Sequence, residues 1–215
     1  MPYWGGAKTG GFCAYNNREM KLPVYLLLAV LPGLAGAGEI NRAKSFGNPA
    51  APLTIELFSD FQCPSCRALH LQQLPLIMRD FVTTGKAYLV YKEFPLPMHS
   101  HSREAAALAC ASARVGKYEQ VADVLFQSQP AWAENGKVFE TVASVLSPAD
   151  QKKVQALAKD PSVLSEVERD MQEGQQERVN QTPTMLVIRN GRKYPIGGTL
   201  NYDLLRRFLD DLVSK

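Results

Sequence analysis

The sequence predicts an α/β domain in two halves, a βαβ unit and a ββα unit, with a helical insertion between them. Three observations carry this. Residues 52 to 94 run from a buried-strand pattern through a helical pattern to a second strand. Helix-period segments then follow, with no strand signal, to about residue 180. Strand character returns on both sides of Asn190-Gly191, and one amphipathic helix closes the chain.

The elements follow in chain order. Residues 1 to 19 are Gly-rich, lack hydrophobic periodicity and read as an upstream extension that carries Cys13. Met20 and Lys21 open a short positive region, Leu22 to Leu31 are apolar, and Ala35-Gly36-Ala37 is a small-residue cleavage motif. Residues 20 to 37 are therefore expected to be an export signal, with a mature start near Gly38. A spanning helix needs about 20 apolar residues, more than this run supplies, and an uncleaved anchor is the alternative reading. Residues 38 to 51, "GEINRAKSFGNPAA", are expected to be a polar linker.

From residue 52 the domain proper begins and runs to 215. "PLTIELFSDF" (52 to 61) has the β-branched and aromatic make-up of a buried strand. Pro64 suits a first helical turn, and Leu71, Leu74, Ile77 or Met78, and Phe81 would share one helix face. Pro75 should kink that helix, and Gly85 ends it before the strand "KAYLVYKEF" (86 to 94). The insertion, about 98 to 180, opens with the Ala-rich segment 102 to 116. Further helical segments follow at 118 to 129, 136 to 146, 147 to 160 and 161 to 180. Ser147-Pro148 and Asp160-Pro161 each read as an N-cap followed by a first-turn proline. Trp132, after Pro130, is expected to pack in a loop. "TMLVIRNGRKYPIGG" (184 to 198) is a hairpin, and 201 to 215 is the closing helix.

Composition narrows the function. The 215 residues are 46% hydrophobic, enough for a sizeable core, and disorder is not indicated. The 24 basic and 21 acidic residues nearly balance, with no basic stripe interleaved with aromatics, which argues against a nucleic-acid partner. An exported chain beginning near Gly38 would keep Cys63, Cys66 and Cys110, too few for a disulfide framework. A structural zinc site needs about four ligands, and no second Cys or His pair stands at finger spacing, so no metal is expected. The Cys63-Pro64-Ser65-Cys66 segment then points to redox work. Cys63, beside a helix N-terminus, would have its thiolate stabilised by unpaired N–H groups and the positive dipole end. Cys66, one turn on, would be the more buried resolving thiol. Glu56 lies in the first strand, where a carboxylate is costly to bury, and is a candidate proton relay, with Lys92 as a possible partner. Cys110 is expected to be a buried, inert thiol. His99 and His101 could be an acid–base or metal pair, but local structure ahead of a helix accounts for them better.

"ELFSDFQCPSCRALH", "FPLPMHSHSREAA", "GKYEQVADVLF" and "TPTMLVIRNGR" occur in this order and together resemble the DsbA-like thiol:disulfide oxidoreductases, in the branch with an SDFQCPxC active-site segment. The resemblance covers about residues 45 to 213. It implies a thioredoxin-like fold with its helical insertion, no cofactor, and Cys63 and Cys66 as the catalytic pair around Pro64 and Ser65. It also implies a cis Pro183 against the cysteines, with the Thr182 backbone pairing to a substrate strand. Implied partners are cysteine-containing exported proteins and a membrane, quinone-linked redox partner of the DsbB or VKOR kind. The location would be periplasmic or otherwise extracytoplasmic, and the state monomeric. Ser65 departs from the histidine of the best-known oxidases. The expected function is an oxidase that introduces disulfides. The alternatives are a reductase or isomerase using the same cysteines and, from a different class, a metal-binding or chaperone-like module.

Overall fold

The computed structural model describes residues 42–215; the expected upstream extension and export signal lie outside them. A five-stranded sheet has the order β1-β3-β2-β4-β5, formed by β1 (Ser45–Phe46), β2 (Leu53–Ser59), β3 (Ala87–Glu93), β4 (Thr184–Arg189) and β5 (Arg192–Gly197). β2 and β3 are parallel, and the helical run between them makes this the βαβ half. β4 pairs antiparallel with β2 and with β5, which makes the hairpin of the second half. Asn190 and Gly191 both have positive φ, 49° and 76°, as a two-residue hairpin turn requires.

β2 is central, flanked by β3 and β4; buried Leu53 and Ile55 alternate with half-buried Thr54 and Glu56, and Leu57, Phe58 and Ser59 are all buried. Leu53, Ile55 and Leu57 point to the main core with Cys63, Cys66 and Phe81, whereas Phe58 packs on the other face with Phe94, Val179 and Leu186.

α1 follows the cysteines as one helical run: α-helical Pro64–Ala68, a wider π segment Leu69–Gln73, α-helical Leu74–Ile77 and a second π segment Met78–Val82. Pro75 was expected to kink it. The run stays helical through the proline, with π-widened turns at Leu69–Gln73 and Met78–Val82 on either side of it. The widening also changes the buried face. Leu69 and Leu74, five residues apart, join Cys66, Ile77 and Phe81 in the core, while Leu71 is only half-buried.

The insertion holds α2 (Ser102–Ala113), α3 (Tyr118–Gln127), α4 (Gln129–Asn135), α5 (Val138–Ala143), α6 (Pro148–Leu157) and α7 (Pro161–Gln176), and α8 (Tyr202–Ser214) closes the chain. The Ser147 and Asp160 side chains accept from Asp150 N–H and Ser162 N–H, as the two cap motifs predict. α2 is Ala-rich because it is enclosed: Ala105 to Ala113 are all buried. At Gly174 of α7 a β-carbon would lie 2.6 Å from the Phe94 ring, so only glycine lets α7 approach the sheet so closely.

Two expectations are corrected. Residues 38 to 51 are not linker throughout. Ser45–Phe46 pairs antiparallel with β3, and Lys44 is fully buried with its Nζ 2.6 Å from Asp170 Oδ2 and 3.1 Å from Glu166 Oε1. An ion pair reaching 126 residues along the chain leaves no trace in local composition. Trp132 is not in a loop but in α4; it is fully buried and its Nε1 donates to the Leu125 carbonyl at 2.7 Å.

Candidate active site

β2 ends at Ser59, a tight turn follows, and α1 starts at Pro64 with Cys63 as its N-cap residue in extended conformation. In the thiol form the Cys63 side chain makes no capping hydrogen bond to the helix. Cys63 is 6% and Cys66 1% exposed, so the outer thiol is the more reachable. As a thiol, Cys63 donates to the Thr182 carbonyl at 3.4 Å. The Thr182-Pro183 bond is cis, as the resemblance implied, and Gly198 N–H holds the Pro183 carbonyl at 2.8 Å. Thr182 Oγ1 is buried beside the site and is the Thr182 group that can donate to a Cys63 thiolate.

The two sulfurs are electrostatically unlike. Cys63 is lowered from the ordinary thiol range to about 5, chiefly because Cys66 donates a hydrogen bond to its thiolate. Burial opposes the shift, and hydrogen bonds from Thr182 and from the backbone N–H groups of Cys66 and Ser65 assist it. Cys66 is pushed well up by burial, and the bond to Cys63 and the nearby thiolate charge add to this. The helix-terminus N–H groups anticipated from the sequence do contribute. The neighbouring thiol contributes most.

The turn that carries Cys63 is fastened on every side. Asp60, 1% exposed, accepts at its carboxylate from Gln62 N–H at 2.8 Å, Leu96 N–H at 2.8 Å, His99 Nδ1 at 2.7 Å and Ser102 Oγ. Its own N–H points at Cys66 Sγ, 3.4 Å away, and its carbonyl accepts from Cys63 N–H at 3.1 Å. Gln129 Nε2 donates to the Phe61 carbonyl at 2.6 Å and to the Cys63 carbonyl at 3.0 Å. Sequence reasoning missed Asp60 and Gln129. Asp60 stands only three residues before Cys63, a visible acid whose partners come from a distant loop. Gln129 begins α4, where the sequence predicts the last residue of the segment 118 to 129.

Pro64, Ser65, Thr182 and Pro183 thus meet around the two cysteines, and Glu56 does not. Glu56 alternates with Phe58 onto the opposite face of the sheet from Leu57 and the cysteines. Its carboxyl is raised by burial, and the charges acting on it are those of Lys92, Glu173, Lys193 and Glu177. Lys92 itself bonds Glu173 and lies 3.6 Å from Asp170 Oδ1. Ile55 and Leu57, the neighbours of Glu56 along the strand, take the face that packs on the cysteines, which leaves Glu56 on the other. His99 serves Asp60, and His101 offers its backbone N–H to Gln62 Oε1 at 2.8 Å. Cys110 is fully buried and its thiol is pushed up by burial; Lys44 Nζ lies 3.5 Å from its sulfur.

A family model described as thioredoxin matches residues 41–211. The chain belongs to the thioredoxin family. It is 25% identical over 163 residues to disulfide bond formation protein D of Bacillus subtilis, covering 72% of this chain and 71% of that protein. Among solved structures, a thioredoxin-like oxidoreductase from Silicibacter pomeroyi matches with a TM-score of 0.65 at 25% identity, over 80% of this chain and 92% of that one. Oxidised BdbD from Bacillus subtilis matches with a TM-score of 0.67 at 23% identity, over 80% and 93%. Wolbachia pipientis alpha-DsbA1 matches with a TM-score of 0.66 at 18% identity, over 80% and 90%. The architecture is therefore the DsbA-like one, a thioredoxin fold with helices inserted between its halves.

Proposed function

We propose that this protein is an exported thiol:disulfide oxidoreductase that introduces disulfides into cysteine-containing proteins through Cys63 and Cys66. The observation that carries the reading is the split between the two thiols, one lowered to about 5 and the other pushed up. A stabilised Cys63 thiolate favours the reduced dithiol form, which makes the disulfide form an oxidant. It also makes Cys63 a good leaving group.

A substrate thiolate attacks Cys63 of the Cys63–Cys66 disulfide. The S–S bond breaks, a mixed disulfide forms through Cys63, and the Cys66 sulfur leaves with the electron pair and takes up a proton. A second substrate thiolate then attacks the substrate sulfur of the mixed disulfide. The substrate disulfide forms and Cys63 departs as a thiolate. Two electrons have passed to the protein, and a membrane, quinone-linked partner removes them. Thr182 and Pro183 form the wall on which the substrate backbone rests. Residues 20 to 37 direct export, and the protein acts as a monomer.

The test is the equilibrium of Cys63–Cys66 with glutathione, together with oxidative refolding of a reduced, unfolded disulfide protein. Family members span about −270 to −120 mV. A value in the oxidising half, with stoichiometric disulfide transfer, supports the oxidase. A value near −270 mV with rapid insulin reduction assigns a reductase instead.

A further inference from the structure

We propose that Asp60 is a positioning residue for the exchange, setting the field at Cys63 and holding the backbone that contacts both cysteines. The inference rests on the thiol-exchange reading above. The carboxylate has two oxygens and about four acceptor sites. In this structure four donors fill them, from three separate stretches of chain: Gln62 in the turn itself, Leu96 and His99 in the loop after β3, and Ser102 at the start of α2. The side chain thus ties the cysteine turn to the sheet and to the insertion. Through its main chain the same residue donates to Cys66 Sγ and accepts from Cys63 N–H.

A buried carboxylate on the residue whose backbone touches both cysteines carries a cost for thiolate formation, since like charges repel across a low-dielectric interior. The four donors oppose that cost by drawing the charge onto themselves. Among the described contacts, His99 is the titratable side chain on the carboxylate, and Cys66 is the titratable one on the Asp60 backbone. The arrangement therefore makes a signed statement. Removing the charge should ease ionisation of Cys63. Removing a donor while keeping the charge should hinder it.

The experiment titrates the Cys63 thiolate by its ultraviolet absorbance in reduced wild-type protein, D60N, S102A and H99A. The Cys63 proton-dissociation constant should rise about three- to tenfold in D60N and fall about twofold in S102A and in H99A. The glutathione equilibrium should move in parallel, toward the dithiol in D60N and toward the disulfide in the other two. A role in packing alone predicts loosened structure, with thermal midpoints lowered and dissociation constants unchanged or moved in one common direction. That result overturns the proposal. Should D60N not fold, S102A and H99A still decide it: a constant that holds or rises in them is contrary. A wild-type protein with no dithiol–disulfide couple would instead defeat the functional reading, and the dissociation constants would still be measurable.

Discussion

Two buried polar regions of this molecule differ in how their charge is balanced. At the junction of sheet and insertion, Lys44 meets Asp170, Glu166 and Glu93, with Lys92 on the far side of Asp170. Opposite charges there face each other directly, and the cluster fastens the segment before β2 to α7. Around Cys63 no cation bonds the sulfur among the described contacts. Its thiolate is held by weak donors: a neighbouring thiol, Thr182 and two backbone N–H groups. Close contact between opposite charges makes a structural joint. Partial, donor-only stabilisation leaves a charge available to react.

The largest effect should come from breaking the structural joint. Lys44→Met removes the nearest cation from buried Asp170 and Glu166, which keep the more distant Lys92 and Arg114, and loss of about 3 kcal/mol is expected in denaturant unfolding. Cys66→Ala tests the reactive region, because it deletes the largest contribution to the low Cys63 value. Thiolate titration should move upward toward the free-thiol range near ~8.5. The same variant lacks the intramolecular escape from mixed disulfides. Covalent complexes with cysteine-containing proteins should accumulate in it and dissolve on reduction, and Cys63→Ala should form few.

A smaller effect separates the two regions by pH. Glu93 is raised to about 8, chiefly by burial, and accepts from Tyr118 Oη. Its folded value lies above its unfolded one, so the folded state binds the extra proton and stability falls as pH rises from near ~4.3 to about 8. Glu93→Gln should flatten that decline in unfolding measured against pH. Glu56→Gln should do least. From the far face of the sheet it should change the Cys63 titration negligibly, and stability by less than about 1 kcal/mol.

Much of the fold was legible, and particular residues show why the rest was not. The β-branched and aromatic run at 52 to 61, the Asn190-Gly191 turn and the Ser147 and Asp160 caps are local signals, and each produced the element it predicts. The cysteine pair and cis Pro183 were legible from motif and resemblance. Glu56 misled because which face of β2 the cysteine turn folds onto is set by tertiary packing, which put Ile55 and Leu57 on that face and Glu56 on the other. Lys44, Asp60 and Gln129 acquire their meaning only from partners far along the chain. Burial of paired charge has no local periodicity to betray it.

The most direct test of the central claim is the pH titration of the Cys63 thiolate in reduced protein, with Cys63→Ala as control. The account predicts a midpoint of about 5, absent from the control. Because this value is lowered on folding, the ionised thiol stabilises the reduced protein above it, by about 2–3 kcal/mol near neutrality. That stability should be lost as pH falls through the same midpoint. A midpoint near ~8.5, or a signal that survives Cys63→Ala, would contradict it.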